Sequence, residues 1–148
     1  MSLILDHPNT RELKELIEAQ GGTISVWKLL RLDVDGQLIS PYVFTKWKIG
    51  LNKSDRTRIT SRNRVKHNQL TPKEVRQNKV SHGFHVYTSA ARARALSDFS
   101  PVVRFEAKLE DFVAAGVKAD KSFHAVFSQL TLPEATVKRI LKKYGSKF

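Results

Sequence analysis

Apolar positions along this chain fall into short runs whose spacing switches between helical and strand periods. Leu13, Leu16 and Ile17 recur at helical spacing. Asn9-Thr10-Arg11-Glu12 reads as a capping box with Asn9 as the cap, and Gly21-Gly22 as the stop, so a helix is predicted within residues 1–22. Thr23 to Leu32 reads as a strand with Trp27 in the core. Asp33-Val34-Asp35-Gly36 is turn chemistry, and Gln37 to Ser40 returns as the second arm of a hairpin. Pro41 breaks the ladder or marks an edge, and Tyr42 to Gly50 resumes strand-like alternation.

The middle of the chain carries the clearest local signal. In Ser81 to Ser89, Phe84, Val86 and Thr88 point to one face of a strand, and His85 and Tyr87 to the other. Gly83 reads as a backbone requirement at strand entry. Ser89 caps a helix built on Ala90-Ala91-Arg92-Ala93-Arg94-Ala95-Leu96. After a turn at Phe99-Ser100-Pro101, Val102 to Leu109 and Ser122 to Leu130 read as strands. Glu110 to Gly116 between them is a helical turn or another extended piece. Thr131-Leu132-Pro133-Glu134 reads as a capping box that opens a C-terminal helix over 131–145, with Val137, Ile140 and Leu141 on one face. The sum is an α+β single domain spanning 1–148. It has an antiparallel or mixed sheet of about five strands, flanking helices and a long basic loop.

That loop covers residues 51–80, where apolar residues thin out and the pattern predicts an exposed basic arm. Thr71-Pro72-Lys73-Glu74 starts a short helix inside it. Charge sharpens the picture. Residues 46–79 hold eleven Lys or Arg against two Asp or Glu, which is +9 of the chain's net +12. Lys46, Lys48, Lys53, Arg56 and Arg58 lead the run, followed by Arg62, Arg64 and Lys66. Such cations neutralise phosphates and release counterions. Trp47 borders them as a stacking platform for bases, and Arg92 and Arg94 on the central helix add to the same contact. The expected partner is DNA or RNA. An acidic host protein, such as a nucleic-acid enzyme, is the alternative that the same charge attracts. The bland reading is a solvated basic loop.

Catalytic chemistry is less marked. His82, His85 and His124 would supply acid and base for metal-independent ribonuclease chemistry if their strands are neighbours. The bland reading, of strand and turn histidines with satisfied hydrogen bonds, outweighs it. No compact ligand spacing supports zinc, and no phosphate-binding or dinucleotide fingerprint occurs, so no metal and no cofactor is expected. The chain has no cysteine, no apolar run of membrane-spanning length and no N-terminal signal pattern, which leads to the expectation of a cytoplasmic protein.

Gly83-Phe84-His85-Val86-Tyr87-Thr88-Ser89 with its Ala-rich helix resembles small phage-encoded proteins of unassigned function. In those, an opening strand and a G-[FLI]-H-V element precede a helix and a further strand. Trp27-Lys28-Leu29-Leu30-Arg31 and Val103 through Val113 take the flanking places here. The resemblance implies a phage origin, a host-takeover role and the host cytoplasm. A glycine-led strand followed by a Ser-started helix also resembles the middle of ADP-ribosyltransferase-like domains. That resemblance implies that Arg31 holds the cofactor's phosphates, Tyr87 and Ser89 line its pocket, and Glu106 or Glu110 orients the ribose. The chain lacks the His-Gly-Thr and late Glu-x-Glu of such domains. The leading expectation is therefore a non-catalytic nucleic-acid-binding regulator or inhibitor.

Overall fold

The computed structural model describes residues 2–40, 46–97 and 100–144. The first half runs β1 (Leu3–Leu5), α1 (His7–Ala19), β2 (Thr23–Leu29), the hairpin β3 (Arg31–Leu32) and β4 (Leu38–Ile39), β5 (Gly50–Lys53), α2 (Arg56–Arg62), α3 (Pro72–Gln77) and β6 (Lys79–Val80). The second half runs β7 (Phe84–Val86), α4 (Ala90–Ala95), β8 (Val102–Lys108), a 3-10 turn (Leu109–Asp111), β9 (Phe112–Val117), β10 (Phe123–Phe127), β11 (Gln129–Leu132) and α5 (Glu134–Tyr144).

Every strand pairing is antiparallel. One sheet has the order β6-β1-β9-β10-β7 and a second the order β2-β8-β11-β5. Two continuous segments tie them together. β8 passes through the 3-10 turn into β9, and β10 passes through Ser128 into β11. On the other side, Trp27 and Tyr87 exchange backbone hydrogen bonds of 2.9 and 2.8 Å, which joins β2 to β7. The assembly curls around a core of Val26, Val103, Phe105, Phe127, Leu130 and Leu132. The α+β class with a five-stranded antiparallel sheet and flanking helices is as the pattern predicts.

Local chemistry explains most boundaries and corrects several. Helix α1 is capped by Asp6, not Asn9, and the Asp6 carboxylate accepts from the Asn9 N–H at 3.0 Å. An Asp cap with Pro in the first turn outcompetes the later box. Ser89 caps α4 as expected. Thr131 does not cap α5, because β11 claims it opposite Leu51 and Glu106. The two tryptophans exchange places. Trp27 is half-buried, whereas Trp47 is 2 % exposed and packs on Phe84 and Phe105. The strand expected over Tyr42 to Gly50 is an isolated bridge at Lys46, then β5 from Gly50; residues 41–45, with Pro41, lie outside the described part. Phe99 of the expected turn and Gly145 of the expected helix stop lie outside it as well.

Gly83 sits at φ +117, and a Cβ there would meet Val126 Cγ1 at 2.6 Å. A side chain would be strained in backbone and in space at once. Gly83→Ala is expected to cost about 2 kcal/mol, read as a lower urea midpoint at unchanged m. An unchanged midpoint would show that β7 enters the sheet by another route.

Candidate functional site

The basic segment is a folded layer built on one buried cation, and not the bare arm that the pattern predicts. β5 pairs with β11 and β6 with β1, and α2 and α3 lie between. Arg56 is 0 % exposed. Its Nη1 and Nη2 donate to the two carboxylate oxygens of Glu74 at 2.8 and 2.9 Å. Nε donates to the His67 carbonyl at 2.9 Å, and Nη2 also to the Gln69 carbonyl. Glu74 in turn accepts from the Thr71 N–H at 2.9 Å, completing the predicted capping box of α3. Burial would raise the Glu74 carboxyl, but hydrogen bonds from Arg56 and Thr71 outweigh it and hold the group below its usual range. A guanidinium thus occupies the place that a large apolar residue fills elsewhere. This corrects Arg56 as a phosphate contact, and burial of Trp47 corrects it as a stacking platform for bases.

Five of the segment's ten other cations come together around two adjoining depressions. The first, of about 520 Å³, is lined by Lys53, Arg58, Lys66 and His67, with Thr57 and Ser61. The second, of about 410 Å³, is lined by Lys46, Lys48 and Lys53, with Phe84, Leu51 and the edge of Trp47. Lys53 belongs to both, and no carboxylate lines either. Arg62 and Arg64 stand exposed where α2 ends, outside both linings. Arg92 and Arg94 are exposed on α4, which packs on β2 and β8.

The sequence reading passed over His67. Its Nδ1 lies 2.7 Å from Ser128 Oγ and 3.9 Å from an Asp111 carboxylate oxygen. Ser128 Oγ donates to the Asp111 carbonyl at 3.3 Å, so it can accept from His67 where Nδ1 carries the proton. Burial, with Glu110 next, raises the Asp111 carboxyl. A loop histidine between Lys66 and Asn68 has no periodicity to mark it; the Arg56 clamp on its carbonyl fixes its place.

Of the three histidines singled out, two converge. β7 and β10 are neighbours, with Val126 opposite His85 and Ala125 opposite Val86. The His124 and Tyr87 rings lie 4.4 Å apart. His82 does not join them; its Nδ1 contacts Asp55 at 2.7 Å near the surface. Lys28 and Lys118 complete the cluster. Lys28 Nζ donates to the His85 carbonyl at 2.6 Å, just where β2 and β7 part beyond their single bridge. Burial, with the Lys118 charge next, pushes Lys28 down to about 8 and His85 down to about 3. Burial and then Lys118 also push His124 down to about 4, while Ser122 and Asp120 act the other way. Both imidazoles are neutral at physiological pH. Both ring nitrogens of His85 are shut off from solvent and have no hydrogen-bond partner among the described residues.

No family model, curated protein or solved structure matches this chain.

The residues of the ADP-ribosyltransferase-like reading fall on several elements. Ser89 caps α4, Arg31 is exposed on β3, and Glu106 is exposed on β8 between Ser25 and Thr131. Glu110 is exposed in the 3-10 turn. No group of three His, Asp or Glu able to hold a metal occurs among the described residues. No helix among them is long and apolar enough to cross a membrane.

Proposed function

We propose that the protein is a non-catalytic nucleic-acid-binding regulator that grips phosphates along the strip formed by the two depressions. One observation carries the reading. Lys46, Lys48, Lys53, Arg58 and Lys66 line two concave surfaces that share Lys53 and contain no carboxylate. Cations gathered without acids neutralise successive phosphates and give affinity that falls steeply with salt. Phe84 and Leu51, in the second depression, add apolar surface beside that path. The resemblance to phage-encoded proteins fits a small regulator acting on host nucleic acid.

The test is binding to labelled DNA and RNA across a salt series. Contacts from most of these five cations give a slope of about −3 to −4 in log K against log salt. Lys53→Ala, which opens both depressions, is expected to make the slope about one unit shallower and to weaken binding several-fold. Binding that is absent at low salt would sink the reading. The same charge would then point to an acidic protein surface.

A further inference from the structure

We propose that the strip takes single-stranded nucleic acid, with one unstacked base seated in the second depression against Phe84 and Leu51. This inference rests on the phosphate path proposed above and names the class of ligand that fits it.

The two depressions differ in their walls. Around the first, hydroxyls, His67 and Gln129 stand among the cations, and Val65 is the one apolar residue described there. The second sets Phe84, Leu51 and the edge of Trp47 among Lys46, Lys48 and Lys53, with no carboxylate among the described residues that line it. Phe84 is half-buried and Leu51 is 43 % exposed. A phosphate gains nothing from an apolar wall, which removes water from it and offers no donor. A base has apolar faces and an anionic backbone attached, so it suits such a wall rimmed by ammonium groups. In a duplex those faces are stacked on neighbouring pairs, and only edges, sugars and phosphates meet a protein surface. The wall therefore gains contact only from a strand whose bases are free to turn out. At about 410 Å³ the depression has room for a group of nucleotide size.

Both parts of the wall are set before a ligand arrives. The Phe84 ring lies 4.6 Å from Trp47, which lies 4.8 Å from Phe105 in the core. Trp47 is fixed in turn, with Nε1 donating to Ser40 Oγ at 2.9 Å. Asn52 ties the turn that carries Lys48 and Leu51. Its Nδ2 donates to the Lys48 and Gly50 carbonyls at 2.9 and 3.1 Å, and its Oδ1 accepts from the Lys48 N–H at 3.0 Å. A preformed slot loses little freedom on binding. Because Lys53 lines both depressions, a strand with a base in the second passes its neighbouring phosphates over Lys53 towards Arg58 and Lys66.

The experiment compares three labelled probes of equal length at one salt concentration. They are a thymine-rich DNA single strand, a blunt DNA duplex, and a strand with abasic sugars in place of its bases. The thymine strand is expected to bind about tenfold or more tightly than either of the others, which is the worth of one stacked base. Phe84→Leu and Leu51→Ala should each remove most of that preference and leave the salt slope unchanged. Leu51 is exposed, so its variant reads the wall even where Phe84→Leu lowers the Tm. Arg58→Ala, in the first depression alone, should make the slope about one unit shallower and keep the preference. Equal binding of the abasic strand or of the duplex overturns the proposal and leaves the phosphate path standing. So does a preference that survives both wall variants. No binding of any probe at low salt overturns the phosphate path and this proposal with it.

Discussion

Replacing Glu74 by Gln, or Arg56 by Met, is expected to destabilise the protein by about 3–5 kcal/mol, roughly 10 °C in Tm. The two side chains share a bidentate contact away from solvent, and taking out either partner strands the other. Glu74→Gln leaves a full positive charge with only carbonyl partners. Arg56→Met leaves a carboxylate with only the Thr71 contacts, and it also frees the carbonyls of His67, Gln69 and His82. Replacing both at once by apolar residues of similar volume should cost much less, because the desolvation of both charges disappears with their attraction. Urea unfolding of the two single variants and the double variant measures this as a cycle. Single losses below about 1 kcal/mol would mean that the pair is solvated in solution. The clamp also holds His67, which lines the first depression, so on the proposed function Arg56→Met should weaken nucleic-acid binding although Arg56 is buried.

Acidification from about pH 7 to about pH 5 is expected to cost roughly 3 kcal/mol through His85 and His124. Both have folded pKa values, about 3 and about 4, below the ordinary 6.5. Between those values the unfolded chain binds more protons, so stability falls as pH falls. It is complete above about pH 6.5 and is lost progressively towards the folded values. Each group gives up about 1.4 kcal/mol per pH unit below its unfolded pKa, trimmed for half-buried His85 by solvent at the rim. Asp111, raised by burial, pulls in the opposite direction. His85→Leu isolates the histidine part and should remove about half of the acid sensitivity. Lys28 obeys the same sign at higher pH, since its ammonium is disfavoured in the fold and stability rises as pH climbs past about 8. Thermal melts in phosphate-free buffers test this, and a Tm that is level from neutral to acid pH would refute neutral, desolvated histidines.

Where apolar spacing decides the outcome, the sequence foretells the structure. The alternation around Val86 and the cap at Ser89 are both found, and the Thr71–Glu74 box is formed in full. The errors arise where a polar residue does an apolar residue's work or where an element competes for the same residue. Nothing in the pattern marks Arg56 as interior, because its partner lies eighteen positions away and its remaining acceptors are backbone carbonyls. Likewise, Trp27 and Trp47 both stand in strand-like alternation, and only the curl of the sheet decides which ring faces inward. Thr131 satisfies the sequence rule for a cap and also fits a strand; four backbone pairings with β5 settle it for the strand. For the proposed site, the charge run lends equal weight to Arg56 and Arg58, which the fold sends in opposite directions, one buried and one exposed. Lys28 is a single cation in an otherwise uncharged strand, and only the fold brings it to the His85 carbonyl.

The two continuous segments that tie the sheets together have a consequence for how the chain is made. β2 finds its ladder on β8, β5 on β11, β7 on β10, and β1 on β9 as well as β6. Of these partners, β8, β9, β10 and β11 all lie between residues 102 and 132. A chain growing on a ribosome therefore emerges with most of its strand ladders waiting, able to close, among the described residues, the small hairpin, the β1–β6 pair and the two isolated bridges. Such late pairings are slow, and unpaired edges invite association. The dense positive charge of residues 46–79 lies in the middle of that waiting interval, where mutual repulsion between nascent chains would keep them apart until the last hairpin arrives.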